Sequence, residues 1–129
     1  MSLTMDYFKD WLERYFTAWK TNQRELLDGL FADKAVYYFG PFREPSVGKQ
    51  TIVKGWLASP PPDEMRYSCS PIAISEDTGV AHWNVVHHST SKPDHFIEID
   101  GILVIKFDAH WQCIEHKEWF LTREIPLKT

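Results

Sequence analysis

The stretch HFIEIDGILVIKF, residues 95–107, alternates with a period of two. Its odd positions from 97 onward are Ile97, Ile99, Gly101, Leu103, Ile105 and Phe107, while Glu98, Asp100 and Lys106 fall on the even ones. Successive side chains of a strand point to opposite faces, so this pattern demands a half-buried strand with its odd residues against a core. The turn DAHW then leads into QCIEHKEWFLT, residues 112–122. Setting Phe107 opposite Ile114 pairs Ile105 with His116 and Leu103 with Glu118 on the inner face. It pairs Lys106 with Glu115 and Ile102 with Trp119 on the outer face. Apolar partners inside and opposite charges outside favour this register, because cross-strand pairs are what stabilise a sheet. His116 and Glu118 are therefore expected to face inward with Ile114 and Phe120, and a slip of one residue would reverse the assignment.

The remaining segments supply what the sheet packs against. Phe8, Trp11, Leu12, Tyr15, Phe16 and Trp19 recur at helical spacing over residues 5–20 and form one apolar stripe. Thr4 suits the N-cap and Asp6 the positive end of the helix dipole. RELLDGLFA gives a short second helix ending near Ala32, and AVYYFG, residues 35–40, a strand stopped by Gly40-Pro41. After a loop holding REPSVG, KQTIVKGWLA reads as a third helix with Ile52, Val53, Trp56 and Leu57 on its apolar side. SPPPDE, residues 59–64, cannot be helix or central strand and reads as a linker. MRYSCSPIAIS (65–75) and VAHWNVVHHST (80–90), joined by the turn EDTG, complete an antiparallel meander with the two strands above. The expectation is a single α+β domain over residues 1–129.

Composition narrows the function classes. With 129 residues, 43% hydrophobic and 15% aromatic, the chain can bury one good core. A net charge of −4 speaks against nucleic acid, which selects basic patches. No apolar run approaches the roughly 18 residues of a membrane span, so no membrane partner is expected. The leading MSL lacks the pattern of a secretory signal and reads as a vector remnant, with residues 1–4 outside the domain proper. Cys69 and Cys113 show no metal spacing, which predicts free thiols in a reduced, cytoplasmic protein. The adjacent His87 and His88 point to opposite faces and cannot share an ion, and neither HxH nor HExxH occurs, so no metal and no other cofactor is expected.

Three helices and a long curled antiparallel sheet describe a cone. LLDGLFADKAVYYFGP, GKQTIVKGWLA and GILVIKFDAHWQCIEHKEWF resemble the nuclear transport factor 2-like superfamily and, within it, the SnoaL-like group. The resemblance covers nearly the whole chain. It implies a cystatin-like cone whose helices close over the sheet and leave a deep apolar pocket. The fold hosts isomerases, polyketide cyclases, dehydratases, epoxide hydrolases and non-catalytic binders, so it does not name a reaction. Ketosteroid isomerases hold the substrate oxygen with a first-helix tyrosine, matched by Tyr15. Their aspartate base falls at Phe39 or Gly40 here, and their protonated aspartate at about Leu103. With both carboxylates missing, steroid isomerisation by that route is not expected. SnoaL-type cyclases carry an acidic residue on the closing strand, and IEHKE places Glu118 near it.

Glu118 and His116 are thus the candidate proton-transfer groups and Tyr15 the candidate oxyanion donor. Desolvation in an apolar wall raises a carboxyl pKa and lowers that of an imidazole, while mutual attraction does the reverse. The bland alternative places the pair at the open mouth, solvated or bonded to Arg14 or Arg24. Trp19, Tyr37, Phe39, Trp56 and Trp83 are the candidate aromatic walls, and Leu103, Ile105 and Phe120 the candidate floor. His87 shares parity with Ala81, Trp83 and Val85 and is the other candidate inward histidine, while His82, His95 and His110 read as surface. On the outer face Ile102, Val104 and Trp119 form an apolar patch of the kind that marks an interface, which predicts a homodimer through the sheet. Three functions stay open: a cofactor-independent isomerase, cyclase or dehydratase; a binder of a small hydrophobic molecule; or an interaction module using the outer face.

Overall fold

The computed structural model describes residues 2–126. Helix α1 spans Met5–Thr21, α2 Arg24–Leu30 and α3 Lys49–Leu57. The strands are β1 Phe31–Tyr38, β2 Ser46–Val47, β3 Arg66–Ser75, β4 Thr78–His88, β5 His95–Phe107 and β6 Cys113–Pro126. They form one sheet in the order β2-β1-β6-β5-β4-β3. The sheet curls without closing, and the helices pack into its concave face.

Helix α1 forms as its pattern requires. The Thr4 side chain accepts a hydrogen bond from the Tyr7 amide at 3.1 Å, and the helix ends at Asn22 in the left-handed conformation. Phe8, Trp11, Leu12, Tyr15 and Phe16 are buried, leaving Trp19 partly exposed at the C-terminal end of the stripe. The Trp11 indole donates to the Leu30 carbonyl at 3.2 Å, which ties the end of α2 beneath α1. Helix α3 starts after Gly48, whose φ of 91° suits only glycine without strain. Leu3, grouped by sequence with the leading remnant, is buried and its amide donates to the Glu76 carbonyl at 2.9 Å.

The meander β3-β4-β5-β6 is antiparallel throughout, but the sheet is mixed because β1 lies parallel to β6. A whole meander separates these two strands in the chain, so neighbour-to-neighbour turn signals could not reveal their direction. Strand β1 also starts at Phe31, so the Phe31-Ala32 end assigned to the second helix is strand, and the two-residue β2 lies inside the REPSVG loop. The β5–β6 register places Ile105 opposite His116, Leu103 opposite Glu118, Lys106 opposite Glu115 and Ile102 opposite Trp119, as the cross-strand pairing predicts. The expected Phe107–Ile114 pair is corrected: Phe107 faces Cys113, and the register shifts between Lys106 and Phe107. Ile114 is the extra residue of this bulge, so Cys113 turns inward and is fully buried while Ile114 stays at the margin. The convex face carries a polar network in which Asn84 bridges Glu98 and Asp100 and His82 meets Asp100 at 3.0 Å. Beside it Ile102 is 36% exposed and Trp119 half-buried.

Candidate functional site

A cavity of about 380 Å³ opens between α1, β1, α3 and the segment after α3. Tyr15 and Trp19 come from α1, Tyr37 and Phe39 from β1 and its continuation, Ile52, Gly55 and Trp56 from α3, and Glu118 from β6. Ser46 of β2 and Ser59, Pro60 and Pro62 complete the wall with Asn22. Asn22 donates its side-chain amide to the Ser59 carbonyl at 2.7 Å, so the C-cap of α1 pins the proline-rich segment as a rim. These rim residues were not singled out in the sequence, where SPPPDE reads only as a linker. The stiffness that three consecutive prolines impose was the available signal.

The polar end of the cavity is a cluster of three side chains. Tyr15 and Tyr37 both donate to Oε1 of Glu118, at 2.9 and 2.7 Å, and their own hydroxyl oxygens lie 2.7 Å apart. Parity on β6 sends Glu118 inward, and its neighbour Leu103 on β5 is buried apolar surface that offers no polar partner. Burial pushes the Glu118 carboxyl from 4.5 up to about 7, the two phenol donors and the Arg43 charge only partly offsetting it. Such a shift disfavours the anion by roughly 3 kcal/mol, so desolvation outweighs two charge-assisted hydrogen bonds. Both phenols are held well above their ordinary pKa, first by burial and then by the Glu118 charge, and remain protonated.

His116 sits behind this cluster. The parallel pairing of β1 with β6 sets Tyr37 beside His116, and the two rings stack at 3.9 Å with planes 9° apart. Trp11, Tyr15 and Phe31 surround the remaining faces at 5.1 to 6.4 Å. Its ring is fully buried, neither nitrogen has a hydrogen-bond partner among the described residues, and it does not line the cavity. Burial drives its pKa down to about 3, so the imidazole is neutral. Neither Arg14 nor Arg24 approaches the pair: each faces an aspartate one turn away, Asp10 and Asp28.

Of the other candidates, Trp19, Tyr37, Phe39 and Trp56 stand in the cavity wall with Tyr15 and Glu118. Trp83, His87, Leu103, Ile105 and Phe120 do not. Trp83 packs beneath Trp19 and Phe120, Leu103 and Ile105 are sealed in the core, and His87 turns its Nδ1 to the His88 carbonyl at 2.9 Å. The α1 aromatics Phe16 and Trp19 lie against Trp83. Among the described residues, no group of three or more His, Cys, Asp or Glu side chains is placed to hold a metal ion. No helix there is long and apolar enough to cross a membrane.

This architecture, a curled mixed sheet filled by three helices with an aromatic pocket at one end, defines the nuclear transport factor 2-like class. Residues 12–116 match the SnoaL-like domain model, and the chain belongs to that family. The match ends two residues before Glu118, so it carries no statement about that side chain. Among solved structures, the Δ5-3-ketosteroid isomerase from Mycobacterium sp. is similar with a TM-score of 0.75 at 12% identity, over 97% of this chain and 100% of that one. A conserved protein from Planctomyces limnophilus DSM 3776 is similar with a TM-score of 0.70 at 17% identity, over 91% of this chain and 95% of that one. At these identities the likeness is one of fold. A search of curated proteins finds no match.

Proposed function

We propose that this protein binds a small, largely apolar molecule in its aromatic pocket and moves a proton on it without a cofactor. The observation that carries the reading is Glu118: a carboxyl at the inner end of an apolar cavity, held on Oε1 by two phenols and poised near pH 7. A group with its pKa near the working pH is present in both protonation states and serves as base or acid with little energetic penalty. As base, ionised Glu118 takes a proton from carbon next to a carbonyl, and the C–H electron pair passes into the forming enolate. As Glu118 becomes neutral it accepts hydrogen bonds less strongly, which frees a phenol proton of Tyr15 or Tyr37 to meet the developing oxyanion. Return of the proton to a different carbon gives an isomerase, and attack of the enolate on a second carbonyl, whose alkoxide takes the proton back from Glu118, gives a cyclase. Expulsion of a β-hydroxyl, which leaves as water with that proton, gives a dehydratase. In this reading His116 holds Tyr37 in place by stacking and moves no proton, since it is neutral and walled off from the cavity.

A non-catalytic binder is the second reading, favoured by the way Tyr15, Tyr37 and Glu118 satisfy one another with no ligand. Deuterium uptake next to the carbonyl of 2-tetralone in D₂O separates the two. The proton-transfer reading expects the wild-type protein to accelerate uptake and Glu118→Gln to lose about 100-fold or more, with tetralone affinity kept within a few-fold. Binding without acceleration leaves the binder, and equal rates in wild type and variant remove Glu118 from the chemistry.

A further inference from the structure

The pocket wall contains one carboxyl, Glu118, and no cation. The nearest basic group by its effect on that carboxyl is Arg43, in the loop that joins β1 to β2. Its side chain does not simply extend into solvent. The guanidinium carbon lies 5.5 Å from the centroid of Phe39, a residue of the cavity wall. A methyl group built at Gly40 would stand 3.8 Å from the Arg43 Cδ, so the stem folds back along the loop. Pro41 and Pro45 bracket the turn and restrict its backbone. Like Lys9, Lys20, Lys34, Lys54, Arg66 and Lys106, Arg43 forms no ion pair among the described residues, but it is the one of these that lies over a ring of the cavity wall and whose charge acts on Glu118. A folded, unpaired guanidinium therefore stands outside the wall over Phe39, and the inner end is occupied by a carboxyl with both phenol protons committed to it.

This asymmetry bears on what the pocket accepts. An anionic group pushed to the inner end meets Glu118 and loses its water without gaining a free donor. The same group directed outward along Phe39 meets the Arg43 guanidinium, while the apolar body stays among Trp19, Trp56 and the two tyrosines. We propose that Arg43 is a specificity-determining residue, which selects ligands with an apolar body inside the pocket and a carboxylate or similar anionic group toward the mouth. The proposal rests on the pocket reading above and names its ligand class: amphipathic organic acids, oriented with the acid outward. Since the guanidinium is solvent-exposed, the preference is modest and sensitive to salt.

The test uses 2-naphthoate and its neutral counterpart 2-naphthamide, with binding followed by quenching of tryptophan fluorescence. At low ionic strength and pH 8, wild-type protein is expected to favour naphthoate by about three- to fivefold. Arg43→Gln is expected to abolish that preference while changing naphthamide affinity less than twofold, Arg43→Lys to retain part of it, and about 0.5 M salt to erase it in the wild type. A preference for naphthamide in the wild type, or a naphthoate preference that survives Arg43→Gln, overturns the assignment and leaves the pocket itself intact. If neither compound binds, or if Trp56→Ala leaves both affinities unchanged, the pocket reading falls and the proposal with it. Tetralone exchange dependent on Glu118 but indifferent to Arg43 is the signature of a sound proton-transfer site with a wrong ligand class.

Discussion

Glu118 shows how one side chain acquires its surroundings from parity and company. The alternation along β5 decides that it points inward, and the sequence is enough for that step. Its hydrogen-bond partners are less legible: the resemblance gives Tyr15 only as a donor to a substrate oxygen and the pattern gives Tyr37 only as a wall residue, with neither linked to the carboxyl. The reason is physical, since three residues separated by 22 and 81 positions meet only because β1 packs beside β6. His116 is legible as inward, but its surroundings are not. Its neighbours could equally have been water or an arginine, and only the aromatic enclosure shows that it is neutral. The two phenols lower the carboxyl's pKa, so Tyr37→Phe or Tyr15→Phe is expected to raise the Glu118 midpoint further above its wild-type value. A carboxyl titration followed by infrared difference spectroscopy measures this. A midpoint that falls in either variant contradicts the hydrogen-bond assignment.

At the scale of elements, the β5–β6 hairpin is where sequence reasoning worked best, because alternation and opposite charges fix a register. It failed at the hairpin's base, where a bulge restores the inward direction for Cys113 without disturbing the pairs from Glu115 onward. Bulges leave little composition signal, so Ile114 looked as good an inward residue as Cys113. The parallel β1–β6 contact was equally hidden, since it depends on how the whole meander curls. Gly101 permits the close approach of β6 to β5. A Cβ there would lie 2.2 Å from the Trp119 carbonyl oxygen and 2.8 Å from the Phe120 Cβ, too close for any rotamer to relieve. Gly101→Ala is expected to cost about 3 kcal/mol or more, as overpacking against backbone does, and to lower the melting temperature by roughly 10 °C. Calorimetry checks this, and an unchanged melting temperature would show that the two strands are farther apart than described.

The whole molecule carries two buried titratable groups whose effects on stability oppose each other. The His116 pKa falls from 6.5 unfolded to about 3 folded, so between those values the unfolded chain binds more protons and acid destabilises the fold. The Glu118 pKa rises from 4.5 to about 7, so over that range the folded chain binds more protons and base destabilises it. Each slope is about 1.4 kcal/mol per pH unit. They cancel where they overlap, between the unfolded values of 4.5 and 6.5, which leaves a plateau there with loss of stability on either side. His116→Phe keeps the aromatic stack and removes the proton site, so it is expected to shift acid unfolding to lower pH. Glu118→Gln is expected to remove the decline toward pH 7. Denaturant melts across pH test both, and an acid limb unchanged in His116→Phe would mean that His116 is not buried neutral. The claim on which the functional account stands is narrower: Glu118, enclosed at the end of the pocket, titrates near neutrality. A ¹³C NMR titration of its side-chain carboxyl, assigned by comparison with Glu118→Gln, measures this directly. The account predicts a midpoint of about 7, and a midpoint near the ordinary 4.5 would contradict it.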